Sequence, residues 1–293
     1  MSDTGNESSV QLSPGVEWSR RFHELFNEQG YGLPYAALDA ARAEVSSGPS
    51  PWTFEVPEFP VELRGQGTRI DFILKHSERQ LYLLVECKRA NPALSNWVFV
   101  RAPRDYHRAS DFVHVERIDA SHRPEIRTAG GRLTGAEQTY HIALEYRDRQ
   151  RRGDKCGEGR GQIEKAVTQV LRGLGGLVDF YAENPIMLKG IASVDLVPVV
   201  LTTANLWVSS AQLETTDLRS GEIDPESASL EAREYVMYQY HVSPGLRPVR
   251  ANRQISQRVG LRAALERDFI RTVHVVHGTS FGAFLADLSS RLR

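Results

Sequence analysis

The stretch LLVECKRANP, residues 83–92, begins as an apolar strand and then sets Glu86 and Lys88 where further apolar residues would continue it. Side chains alternate faces along a strand, so Glu86 and Lys88 share one face and Cys87 takes the other. Buried ions are costly unless they are paired or put to use, so the strand end demands an explanation. Working outward, TRIDFILK (68–75) reads as a preceding strand and HSER (76–79) as the hairpin turn between the two. Pairing through that turn lets Asp71 and Glu86 approach each other at one end of a sheet. Two adjacent carboxylates repel, and a divalent cation is the usual remedy. Hard oxygen ligands with room for water suit magnesium, with Mn²⁺ able to substitute.

Around this hairpin the apolar periodicity gives an α/β order of elements. VEWSRRFHELFNEQGYG carries Val16, Trp18, Phe22, Leu25 and Phe26 at helical spacing and stops at Gly30. PYAALDAARAEV (34–45) reads as a second short helix, and WTFEVPEFPVEL (52–63) as the first of three strands. GQIEKAVTQVLRGLGGLVDFYA (161–182) is a helix with one apolar face, weakened by its glycines. VDLVPVVLTT (194–203) follows as a continuous apolar run, the pattern of a strand covered on both faces. YVMYQYHV and RTVHVVH read as further strands, and FGAFLADLSSRL as a closing helix. Residues 1–14 are polar and aperiodic and read as a disordered leader, with one domain expected over 15–293. Within it, 92–160 reads as a β-rich insertion and 206–293 as a C-terminal extension of the sheet.

Bulk composition narrows the function classes. The 293 residues are 41% apolar, enough for a sizeable core, and their net charge of −1 provides no global positive field for nucleic acid. Binding of that kind must rest on a local patch. RDRQRRGDKCGEGRG (147–161) is the most basic stretch, and Arg151 and Arg152 are its candidates for phosphate contacts. No apolar run reaches the roughly 20 residues needed to span a bilayer, and the N-terminus lacks a secretory pattern, so the expected location is cytoplasmic, with no membrane partner. The two cysteines, Cys87 and Cys156, have no zinc-like spacing, and the nine histidines are scattered. P-loop, G-x-G-x-x-G and G-x-S-x-G patterns do not stand out, which disfavours NTPase, dinucleotide and hydrolase readings. Lysine itself carries information here: the chain uses 31 arginines against 5 lysines, so a merely solvated cation at position 88 would more often have been arginine.

With Asp71 on one strand, Glu86-x-Lys88 at the end of the next, Arg89 after it, a leading helix closing at Gly30-Tyr31 and QIEKAVTQVL following, the sequence resembles the PD-(D/E)XK nuclease superfamily. The flavour is that of its Mrr-like and Holliday-junction-resolvase-like members. The resemblance covers residues 15–90 and 161–205, and departs from the family's written motif in having Thr68-Arg69-Ile70, without proline, before Asp71. It implies a restriction-endonuclease-like core of helix, three strands, helix and strand. It further implies a Mg²⁺-dependent nuclease acting on DNA, in restriction or phage defence, with Asp71 and Glu86 as metal ligands and Lys88 orienting water. The family often adds a glutamate from the first helix. Glu17 is preferred for that role and Glu24, seven residues on, shares its face. Gln162 and Gln169 are further candidates for contact with the site or the phosphate backbone, and Arg89 for nucleic-acid binding. The competing readings are a catalytically silent nucleic-acid- or protein-binding module, and an RNA-directed nuclease. Double-strand cleavage would need a homodimer or two binding events, and a partner protein stays open.

Overall fold

The computed structural model describes residues 16–42, 50–90, 95–101, 110–120, 123–131, 133, 139–146, 161–223, 226, 228–253 and 269–292. The chain divides into two compact units, Met1–Gly32 and Leu33–Arg293. In the first unit, α1 (Val16–Gln29) has the amphipathic spacing read from the sequence, with Trp18, Phe22 and Leu25 exposed. Gly30 follows it at φ 73°, a left-handed stop that glycine adopts without a Cβ penalty. The expected leader, 1–14, lies outside the described residues.

The second unit is an α/β structure. After α2 (Gly32–Arg42), β1 (Trp52–Leu63), β2 (Gln66–His76) and β3 (Leu81–Lys88) run as an antiparallel meander. Then come β4 (Asn96–Arg101), β5 (Phe112–Ala120), β6 (Arg123–Gly131) and β7 (Thr139–Tyr146), followed by α3 (Gly161–Glu183). α3 carries the chain back so that β8 (Ser193–Thr202) lies parallel to β3 from Leu81↔Asp195 to Lys88↔Thr202. The remainder comprises β9 (Asn205–Ser209), β10 (Leu230–Arg233), β11 (Tyr235–His241), β12 (Asn252–Arg253), β13 (Ile270–His277) and α4 (Phe281–Arg291).

The strands join one mixed sheet in the order β1-β2-β3-β8-β13-β11-β7-β4-β9-β10. The stretch set apart in the sequence as an insertion is woven into it: β4 and β7 lie between β11 and β9, and β5 pairs with β8. β8 is therefore flanked twice on the side away from β3, by β5 over Ser193–Leu196 and by β13 over Val199–Thr202. Pro198, which has no N–H to give, falls in the gap between these two partners.

Continuous burial along β8 follows from helices on both faces. On one side Leu196 and Val200 pack with Leu84, Ile73 and the α3 residues Val167, Val170 and Leu174. Against the other side lie Ala37 and Leu38 of α2 and Phe281, Phe284, Leu285 and Leu288 of α4, packed on Phe72, Leu83, Val85 and Val199. Trp52 ties β1 to α4, its indole N–H donating to Leu285 O at 3.2 Å and Ser289 Oγ at 2.9 Å. The three glycines that weaken α3 as a helix let it lie close on the meander. A Cβ on Gly173 would meet Ile70 at 2.8 Å, and one on Gly176 would meet Val61 at 2.9 Å.

Candidate active site

β2 and β3 pair through Phe72↔Val85, and one step further along each strand stand Asp71 and Glu86, on the face covered by α3. The Cys87 backbone N–H donates to Asp71 Oδ2 at 2.6 Å, fixing that carboxylate across the strand ends. Cys87's own side chain goes to the opposite face, as alternation requires, and packs with the α2 and α4 cluster. Glu86 is 2% exposed, an unusual burial for a carboxylate. Burial, reinforced by the Asp71 charge and only partly offset by Lys88, raises its pKa from 4.5 to about 8. Asp71 is also raised, first by burial, with the Cys87 N–H and Lys88 opposing and Glu58 adding to the rise.

Lys88 completes the cluster. Its Nζ donates to Glu86 Oε1 at 3.2 Å and to Gln169 Oε1 at 2.8 Å, so α3 holds the ammonium from above while its own strand holds it from beside. The side chain retains 26% exposure, which leaves it reachable from solvent. The end of β3 and the neighbouring Asp71 of β2 thus bring together two carboxylates and an ammonium under α3, with Gln169 as the fourth member.

Gln162 sits in the first turn of α3, where its backbone N–H and that of Ile163 donate to Glu145 Oε1 at 2.6 and 2.9 Å. Arg89 is exposed directly after Lys88. Glu17 and Glu24 belong to α1 in the other unit, and Glu24 is exposed and paired with Arg20 at 3.8 Å. Arg151, Arg152 and Cys156 lie outside the described residues. The buried histidines have structural surroundings: His76 stacks edge-on against Trp52, and His274, its pKa held down by burial, lies against Phe284.

Two residues that shape the site escaped the sequence reading. Glu145 of β7 accepts from two of the N–H groups that open α3, those of Gln162 and Ile163, a capping contact supplied from a distant strand. Glu58, on the edge strand β1, occupies the position between the pairs Pro57↔Phe72 and Phe59↔Ile70, facing Asp71, with φ 44°. A left-handed glutamate stores about 1–3 kcal/mol of strain. The bracketing Pro57 and Pro60 were the available signal of an irregular edge. Glu58 turns its carboxylate to Arg69 at 3.1 Å.

Among the described residues no three His, Cys, Asp or Glu side chains gather as a metal site. The pair Asp71 and Glu86 is a donor set of hard oxygens, which fits a cation that takes one or two carboxylates and fills its other positions with water and phosphate, as magnesium does. No helix of the described residues is long and apolar enough to cross a membrane. No family model, curated protein or solved structure matches the chain.

Proposed function

We propose that the chain is a Mg²⁺-dependent nuclease that hydrolyses phosphodiester bonds of DNA at Asp71, Glu86 and Lys88. The observation that carries this reading is the convergence of two carboxylates and an ammonium where the paired stretch of β2 and β3 ends, in a setting where the buried Glu86 alone would be costly. Support also comes from the connectivity: a helix, an antiparallel meander, α3 and a strand parallel to the last of the meander form the order expected of a restriction-endonuclease-like core.

Asp71 and Glu86 would hold the cation, which supplies charge neutralisation and Lewis-acid polarisation of a phosphodiester oxygen. The chain's own residues do the rest. Lys88 presents an ammonium beside Glu86, where it attracts a phosphate oxygen and offsets the negative charge that develops as the phosphorus is attacked. Gln169 keeps the ammonium from collapsing fully onto Glu86 by accepting a second hydrogen bond. Glu86 must release its proton to bind a cation, which ties the reaction to pH. Roles in restriction or phage defence rest on analogy of fold alone.

The test is cleavage of supercoiled plasmid, single-stranded DNA and RNA by wild type and Lys88→Ala, each with Mg²⁺, Mn²⁺ and EDTA. Metal-dependent DNA nicking that vanishes in Lys88→Ala is the expected outcome. Preferential RNA cleavage would move the substrate class. Absence of cleavage from every substrate by pure protein would sink the nuclease reading in favour of a silent binding module.

A further inference from the structure

A second site opens where two strands part. Among the described residues, β7 and β11 are paired in parallel only at Met237↔Thr139 and Tyr238↔Tyr140. On its other edge β7 pairs β4 with Val100↔Ile142 followed by Arg101↔Tyr140, which leaves His141 as the extra residue of a bulge. Beyond the bulge β7 turns toward α3, where Glu145 caps the helix, while β11 continues along β13 to His241. Between the diverging strands lies a cavity of about 260 Å³, walled by His141 and Ala143 of β7 and by Tyr238 and Tyr240 of β11, and closed by Ile163 and Glu164 in the first turn of α3.

The lining has two kinds of chemistry. Tyr238 and Tyr240 are half-buried on the same face of β11, with ring centroids 6.2 Å apart, and present aromatic faces. Glu164 is exposed at the rim, close enough to the Tyr240 hydroxyl for its charge to add to the rise that burial gives the phenol's pKa. A carboxylate has about four lone-pair positions, so one neighbouring phenol leaves acceptor capacity for N–H donors. Aromatic faces beside a carboxylate acceptor match a flat heterocycle that carries an amino group, and the volume suits a single ring system rather than an extended ligand.

We infer that this cleft binds an unstacked nucleobase bearing an exocyclic amine, adenine or cytosine, with the ring on Tyr238 or Tyr240 and the amine donating to Glu164. The base can come from a nucleic-acid strand or from a free nucleotide. The cleft shares no residue with the Asp71, Glu86 and Lys88 cluster, so its test is independent of cleavage.

The experiment is calorimetric titration of the full chain, in EDTA, with adenosine against inosine and cytidine against uridine. In each pair the amine is replaced by an oxo group and the neighbouring ring nitrogen changes from acceptor to N–H donor. At least one amine-bearing nucleoside is expected to bind about tenfold or more tightly than its oxo counterpart. Glu164→Gln, whose amide both donates and accepts, should erase the difference, and Tyr238→Leu, with its fold checked by circular dichroism, should weaken both members alike. Parallel titrations with single-stranded oligonucleotides separate the sources: a preference seen with strands alone assigns the site to polymer, and one seen with nucleosides alone assigns it to free nucleotides. Equal binding of both members, a preference that survives Glu164→Gln, or no binding of either nucleosides or strands would overturn the assignment.

Discussion

Glu86 is the residue on which the behaviour of the site turns. Its folded pKa of about 8 lies above the ordinary glutamate value of 4.5, so the folded state binds the proton more tightly than the unfolded state does. The associated stability is fully present below pH 4.5 and is lost as pH rises through about 8, at up to about 1.4 kcal/mol per pH unit. Asp71, also raised, adds a slope of the same sign. Denaturant melts in EDTA between pH 5 and 8 should therefore show falling stability in the wild type and a flatter profile in Glu86→Gln; identical slopes would refute the buried-proton account. Gln169→Ala removes one of the two groups holding Lys88, and we expect turnover in the proposed nuclease reaction to fall about tenfold or more with the fold unchanged. An unaltered rate would mean that Gln169 does not position the ammonium. Much of this was legible beforehand, because strand alternation alone puts Glu86 and Lys88 on one face and Cys87 on the other. Glu58 was not legible: its left-handed backbone follows from how β1 meets β2, which no local pattern around EVPEFP encodes.

At the scale of elements, α3 shows why propensity and packing part company. Gly173, Gly175 and Gly176 lower its intrinsic helicity by about 1 kcal/mol each relative to alanine. On propensity alone Gly176→Ala would stabilise. The structure argues for the opposite sign, because the added methyl would meet Val61 Cβ at 2.9 Å and Glu62 O at 3.2 Å, and β1 would have to retreat. Overpacking of this kind costs about 1–3 kcal/mol, so the variant should melt below wild type, while Thr168→Ala on an exposed part of the same helix should not. A Gly176→Ala protein that melts higher would mean α3 is not pressed against β1. The helix was readable from its apolar spacing, and so were the meander and its turn. What kept 92–160 looking like an excursion is that its strands find partners 60 residues or more away: β5 on β8 and β4 on β9. Hydrophobic alternation records that a strand has a buried face and is silent about its neighbour.

Taken whole, the unit Leu33–Arg293 cannot be cut where the resemblance ends. A chain stopped after residue 205 would lose β13 from the flank of β8 and the α4 residues Phe281, Phe284, Leu285 and Leu288 from one face of the sheet. Each such side chain contributes about 1.5–3 kcal/mol when buried. We expect that truncation to be insoluble or to lack near-ultraviolet circular dichroism, whereas a soluble, cooperatively melting fragment would show that the first two thirds fold alone. The doubly flanked β8 has one more consequence, in time rather than energy. β13 ends 75 residues after β8 does. At about 5–20 residues per second of translation, the Val199–Thr202 edge stays open for about 4–15 s on the ribosome. For that interval the nascent chain displays an unpaired, apolar parallel strand, and that strand, more than any loop, is where a chaperone would be needed.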